Sequence, residues 1–220
     1  MRLVPETWWG KIRATVLILT FGGLLGWFWI IPAAVYEAYT PHEGDILFQS
    51  LPGGNDLVAA IEGATHSPFS HCGMVEQVGG EWVVLEAIGT VHRTPLFWWI
   101  WRGRGSRVAA YRLRPEYQAF VPAMRAGAER LMGRPYDFHY AFNNGEIYCS
   151  ELVFDGYQAA TGKELGRVVQ LGDLDWRPYV ATITKYDECT ADTLPLGRRM
   201  ITPRDLAAAP ELERVFNWGY

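Results

Sequence analysis

Between Arg13 and Arg93 the chain has no lysine or arginine, and the only charges in that stretch are acidic. This gap and a net charge of −4 exclude the basic stripe that a nucleic-acid binder needs, so no nucleic-acid partner is expected. Cysteine is scarce as well: Cys72, Cys149 and Cys189 are the three in 220 residues. An odd count leaves at least one thiol free and leaves open whether the other two pair. The chain also lacks internal repeats and low-complexity segments, which points to one domain with a sizeable core plus an accessory segment.

What is present begins with that accessory segment. Residues 14–35 are 22 uncharged, mostly apolar residues, long enough to cross a bilayer as a helix; glycines and Pro32 are compatible with this. Arg2, Lys11 and Arg13 precede the run, and the next basic residue is Arg93. The positive-inside rule then predicts a cytoplasmic N-terminus (1–13), a span (14–36) and an extracytoplasmic, periplasmic domain (40–220) at the cell membrane. The run is longer than the apolar core of a cleaved leader and lacks an Ala-x-Ala pattern near Ala33, Ala34 or Ala38, so an uncleaved anchor is expected.

The domain reads as mixed α and β. A short strand is predicted at residues 44–49, a break at Pro52-Gly53-Gly54-Asn55, and a short helix capped by Asp56 through Ala60 and Ile61. Two strand-like runs, residues 70–78 and 81–87, flank Gly79-Gly80, the pattern of a two-residue hairpin. A strand at 108–113 and a helix from about Glu116 to Met132, stopped by Gly133 and Pro135, follow.

The hairpin permits a geometric deduction. With Gly79 and Gly80 as the loop, Val78 opposes Glu81, Val75 opposes Val84 and Gly73 opposes Glu86. Alternation then puts His71, Gly73 and Val75 on one face with Val84 and Glu86, with His71 and Glu86 as diagonal neighbours, while Cys72 points the other way. Cys149, in Tyr148-Cys149-Ser150-Glu151, stands where a turn gives way to a helical pattern. Unpaired N–H groups and the positive dipole end favour its thiolate. A thiolate needs a base, and a base needs an orienting carboxylate, so Cys149, His71 and Glu86 are candidates for one site.

Several other features carry less. Phe97-Trp98-Trp99-Ile100-Trp101 beside Arg102 and Arg104 suits a membrane interface or an amphiphilic groove, and equally a core edge. Arg107, Arg112 and Arg114 read as a solvated strand edge, and Asp137 and Asn143 as turn residues. The spacing of His66, His92, His139 and Cys72 matches no ligand pattern, so no metal and no cofactor are expected.

The ordered set of Gly44-Asp45-Ile46-Leu47-Phe48-Gln49, Ser70-His71-Cys72-Gly73-Met74, Glu86-Ala87, Thr94-Pro95-Leu96, Gly133-Arg134-Pro135-Tyr136-Asp137, Ile147-Tyr148-Cys149-Ser150-Glu151-Leu152-Val153 and Ile201-Thr202-Pro203-Arg204-Asp205-Leu206 resembles the YiiX/YebB-like permuted papain-fold cysteine amidases. These are relatives of the NlpC-type cell-wall peptidases and of the lecithin:retinol acyltransferase group. The resemblance implies an α+β, circularly permuted papain-like fold, with an antiparallel sheet packed on the cysteine helix. It implies Cys149 as nucleophile, His71 as general base and acid, Glu86 as orienting carboxylate, and Tyr148 lining the site or helping to hold the oxyanion. Cys72 departs from the pattern, where a small aliphatic residue is expected, and the membrane span lies outside the resemblance. The implied substrate is an amide- or acyl-bearing molecule, a peptidoglycan peptide or a lipid. The alternatives are a lipid-directed acyltransferase or thioesterase using the same three residues, and a non-catalytic interaction module on the same fold.

Overall fold

The computed structural model describes residue 26, residues 28–54 and residues 56–220. Most of the expected span, and all of residues 1–13, therefore lie outside the described residues. Among the described residues no helix is long and apolar enough to cross a membrane. The described end of the run, 28–38, is helical (α1), and its last turns cover the domain's own sheet: Val35 and Tyr39 are buried there.

Six antiparallel strands form the sheet, in the order β4-β3-β2-β1-β5-β8. They are β1 (Ile46–Gln49), β2 (His71–Val78), β3 (Glu81–Ile88), β4 (Thr90–Pro95), β5 (Val108–Leu113) and β8 (Leu212–Trp218). A two-stranded ribbon, β6 (Val169–Gln170) with β7 (Arg199–Met200), lies apart. The helices are α2 (Asp56–Thr65), α3 (Leu96–Arg102), α4 (Val121–Glu129), α5 (Cys149–Thr161), α6 (Val180–Tyr186) and α7 (Pro203–Ala207).

Period-two alternation sorts the sheet into two apolar faces. Ile46, Phe48, Cys72, Met74, Leu85, Ala87 and Ala109 pack with α4 and α5. Leu47, Val75, Val84, Val108 and Ala110 pack with Val35, Tyr39 and the Leu96, Trp99 and Ile100 side chains of α3. The antiparallel α+β architecture matches the expectation. The hairpin register also matches: Val78 faces Glu81, Val75 faces Val84 and Gly73 faces Glu86. Gly79 and Gly80 take φ of 61° and 90°, which only glycine adopts cheaply in such a turn.

Two expectations on the helices are corrected. The helix from Glu116 to Met132 is broken, with a 3₁₀ stretch over Pro115–Phe120 followed by α4. Pro122 has no N–H to give the preceding turn and suits the first turn of a new helix, so the α-helix starts beside it. Helix α2 runs on to Thr65, past the predicted Ile61. The tail, expected only to pack on the domain, is the edge strand β8 pairing with β5, and the Tyr220 hydroxyl accepts the Ser50 N–H at 2.7 Å.

Helix α5 lies against α4 at a point where side chains would collide. A Cβ on Gly156 would stand 2.8 Å from the Met124 carbonyl oxygen, and one on Gly127 2.9 Å from Ala159 Cβ. This close approach fixes α5 on the sheet and with it the depth at which Cys149 sits.

Candidate active site

Helix α5 begins at Cys149, where Tyr148 is extended (φ −98°, ψ 167°) and its N–H donates to the Glu151 carboxylate at 3.4 Å. It ends at Gly162 in the left-handed region (φ 70°). The first N–H groups of α5 therefore point toward the Cys149 side of the domain. The thiol itself is 2% exposed.

His71 opens β2, opposite Gln49 of β1, and stands next to Gly73. A Cβ at Gly73 would lie 2.5 Å from Val84 and 3.2 Å from Glu86, so only glycine leaves room between His71 and Glu86. His71 Nε2 meets Glu86 Oε2 at 2.5 Å, with both side chains buried. Cys149 neighbours the same imidazole and raises its affinity for a proton. Trp99 of α3 lies beside the ring, 6.2 Å between centroids, and confines its rotation.

Glu86 is a fully buried carboxylate and needs donors for both oxygens. Thr94 donates to Oε1 at 2.5 Å and Arg102 to Oε2 at 2.6 Å, while His92 stands 3.9 Å from Oε1. Burial alone would raise its pKa, but the bonds and charges of His71 and Arg102 outweigh this and hold it at about 2. Burial likewise disfavours a charged His71, yet hydrogen bonds to Cys149 and Glu86, and the charges of both, hold the imidazole at about 9. Cys149 is pulled well below an ordinary thiol. The hydrogen bond from the Cys72 thiol comes first, burial opposes it, and the bond and charge of His71 and the Cys72 backbone N–H add to the pull. Both shifts run in the direction of a thiolate beside an imidazolium, with a carboxylate behind the imidazole.

Cys149, His71 and Glu86 come together as one chain of contacts. Tyr148 stands apart from that chain: it is fully buried, its ring packs on Tyr140 (5.1 Å), and its hydroxyl accepts the Ile201 N–H at 3.0 Å. Cys72 does point away from the His71 side of β2. That side is where α5 packs, so its thiol meets the Cys149 sulfur, and the burial and charge around it push its own pKa up. Face parity predicted the direction of Cys72 but not its neighbour.

Thr94 and Arg102 are contributors that sequence reasoning missed. Extending the strand count to β4, where Thr94 faces Val84 and His92 faces Glu86, finds Thr94; nothing local points from Arg102 to Glu86. Arg112, expected at a solvated edge, instead holds the buried Asp45 at 2.6 and 2.9 Å. Asp137 accepts the His139 and Ala141 N–H groups, both at 2.7 Å, as a turn residue does. All three cysteines are free thiols.

A thiol at a helix start, beside an imidazole from an antiparallel strand, is the arrangement of a papain-like cysteine hydrolase, with the histidine strand ahead of the cysteine helix in the chain. A family model described as the permuted papain-like amidase enzyme, YaeF/YiiX, C92 family, matches residues 40–216, and the chain belongs to that family. It is 33% identical over 189 residues to the uncharacterized protein YiiX of Escherichia coli strain K12, covering 82% of this chain and 92% of the relative. It is also similar to the crystal structure of a protein described as metalloprotein yiiX, from Escherichia coli O157:H7. There the TM-score is 0.75 at 31% identity, with coverage of 82% of this chain and 99% of the other.

The residues described here do not fit a metal. No three His, Cys, Asp or Glu side chains among them converge on one point, and both Glu86 oxygens are taken, one by a guanidinium. His66 and His139 pair with Asp175 and Asp187, both at 3.4 Å, far apart in the chain from the Glu86 cluster.

Proposed function

We propose that Cys149, His71 and Glu86 act as a nucleophile, base and orienting-carboxylate triad that cleaves an amide bond through a thioester on Cys149. The observation that carries this reading is the buried contact of His71 Nε2 with Glu86 Oε2 at 2.5 Å, on an imidazole whose proton affinity the neighbouring Cys149 raises. The thiolate attacks the substrate carbonyl carbon, and N–H groups at the start of α5 take the charge that develops on the carbonyl oxygen. The imidazolium gives its proton to the nitrogen of the breaking C–N bond, the amine leaves, and the acyl group stays on sulfur. Neutral His71 then takes a proton from water as it attacks the thioester. The C–S bond breaks, and a carboxylic acid product leaves with the pair restored. Glu86 keeps the ring aimed and steadies the imidazolium throughout.

The same proposal includes an anchor over 14–36, with 1–13 in the cytoplasm and the 40–220 domain on the periplasmic side. A cluster of Trp29, Phe97, Trp98 and Trp101 supports it. Trp29 lies 5.9 to 6.3 Å from the other three rings, and Trp29, Trp98 and Trp101 are exposed where the apolar run joins the domain. Tryptophan at that junction suits the headgroup level of a bilayer.

Acid quenching of a turnover mixture, followed by mass spectrometry of the Cys149 peptide, tests the chemistry. An acyl adduct on Cys149 is expected, and amide hydrolysis persisting in Cys149→Ala overturns the reading. A reporter fused after Tyr220 tests the topology, and activity confined to the cytoplasm would refute it.

A further inference from the structure

Two of the three thiols stand together at the candidate active site, and the proposed reaction uses one of them. Cys72 points from β2 onto the face where α5 packs, and Cys149 opens α5 over that same face. Cys72 donates to the Cys149 sulfur from both its thiol and its backbone N–H. Hydrocarbon makes up the rest of this core, with Phe48, Met74, Leu85, Leu152 and Val153 among its members. The two sulfurs differ in access: Cys149 borders an opening to solvent, whereas Cys72 is fully buried and does not reach it. They differ in charge as well. Cys72 first, and then His71, pull Cys149 well below an ordinary thiol against the opposing effect of burial. Burial first, and then the bond to Cys149 and its charge, keep Cys72 protonated. A small oxidant therefore meets the ionised sulfur first and leaves it next to a second thiol.

We propose that Cys72 and Cys149 form an oxidative modification site, in which a peroxide oxidises Cys149 to a sulfenic acid and Cys72 converts that acid to a reversible disulfide. The inference rests on Cys149 being the reactive sulfur of the triad, and not on which bond the enzyme cleaves. The Cys149 thiolate attacks one peroxide oxygen, the O–O bond breaks, and the departing oxygen takes the His71 proton and leaves as water or an alcohol. The Cys72 sulfur then attacks the sulfenic sulfur. The S–O bond breaks, and the Cys72 proton leaves with the hydroxyl as water. The two thiols together give up two electrons, and the one peroxide takes both. The first step prepares the second, because a neutral sulfenic acid no longer carries the charge that helped to keep Cys72 protonated. As a disulfide, Cys149 is out of action but spared from sulfinic acid, which a thiol reductant does not reverse.

Hydrogen peroxide added to the whole protein tests this, in the wild type and in Cys72→Ala, with the peptide around each cysteine followed by mass spectrometry. The wild type is expected to lose about 2 Da, the two thiol hydrogens, as a link between the Cys72 and Cys149 peptides, and dithiothreitol should restore iodoacetamide labelling of Cys149. In Cys72→Ala, Cys149 should instead gain about 32 Da as sulfinic acid. At equal loss of free Cys149 thiol, the fraction that dithiothreitol fails to recover should be at least about fivefold higher in the variant than in the wild type. Should Cys72→Ala not fold, Cys72→Ser serves the same purpose, and the wild-type link is decisive by itself. A wild-type Cys149 that passes to sulfinic acid as readily as the variant's, or that links to Cys189, would overturn the inference and leave Cys149 a reactive sulfur. A Cys149 that resists peroxide in both proteins would overturn the inference together with the ionised sulfur that the triad reading needs.

Discussion

The two faces of the central sheet are built from the same strands and hold opposite chemistry. On the α5 face, Phe48, Met74, Leu85 and the α4–α5 pair make an apolar core that includes two thiols, Cys72 and Cys149. On the α3 face, the apolar patch of Leu47, Val75, Val84 and Trp99 gives way at one end to a charged network of His71, Glu86, Arg102 and Thr94. Cys149 arrives from one side and His71 from the other, and they meet at the first residues of β2. The separation lets a carboxylate stay ionised in a fully buried place, because its donors all come from the polar side, while the Cys149 thiol is pulled down by Cys72 from the apolar side and His71 from the polar one.

Breaking the meeting point has the largest effect. Removing the sulfur with Cys149→Ala should cut amide hydrolysis by at least about 10⁴-fold without loss of fold, as measured by turnover and by thermal unfolding. His71→Ala comes next, at roughly 10²- to 10⁴-fold, and should return the thiol to an ordinary titration.

Glu86→Gln separates the two faces more finely. It strips the charge from His71 and leaves Arg102 facing a neutral amide, so activity should fall by about 10²-fold and stability by about 2 kcal/mol, read from kinetics and denaturant unfolding. The pH dependence of this network has a defined sign. His71 is raised from 6.5 to about 9, so its contribution to folding is complete below pH 6.5 and lost as pH rises through 9. Glu86 is lowered from 4.5 to about 2, so its contribution is complete above pH 4.5 and lost as pH falls through 2. The alkaline limb of activity should accordingly fall near pH 9 in the wild type and at lower pH in Glu86→Gln.

The smaller effects sharpen the contrast from each side. On the dry face, Cys72→Ala removes a thiol donor from the Cys149 sulfur and should move the acid limb of the activity profile upward, with only a few-fold loss at its maximum. On the polar face, Thr94→Val leaves Glu86 Oε1 with no short hydrogen bond and should cost about 1 kcal/mol, a several-fold change in kcat/KM. Equal and large losses from both would show that the faces are not separate.

How much of this was legible in the sequence follows from the range of each signal. The hairpin could be read residue by residue, because Gly79-Gly80 fixes the loop and period two then fixes every partner from Val78 to Gly73. Carried one strand further, the same count reaches Thr94. It could not reach Arg102, whose guanidinium crosses from α3, nor foresee that α5 would lie on the face that Cys72 occupies. Those placements depend on how helices stack on the sheet, and that is set by features such as the Gly127–Gly156 contact rather than by any local pattern. The break at Pro122 is a local signal, since proline suits the first turn of a new helix, and a single helix over 116–132 passes over it.

The central claim is that the two faces meet in a thiolate–imidazolium pair. Alkylation of Cys149 by iodoacetamide, followed across pH in the wild type and in His71→Ala, tests it most directly. The account predicts a wild-type thiol that reacts with a midpoint well below the ordinary value of about 8.5, and a clear upward move of that midpoint in His71→Ala. A midpoint near 8.5 that His71→Ala leaves unchanged would contradict it.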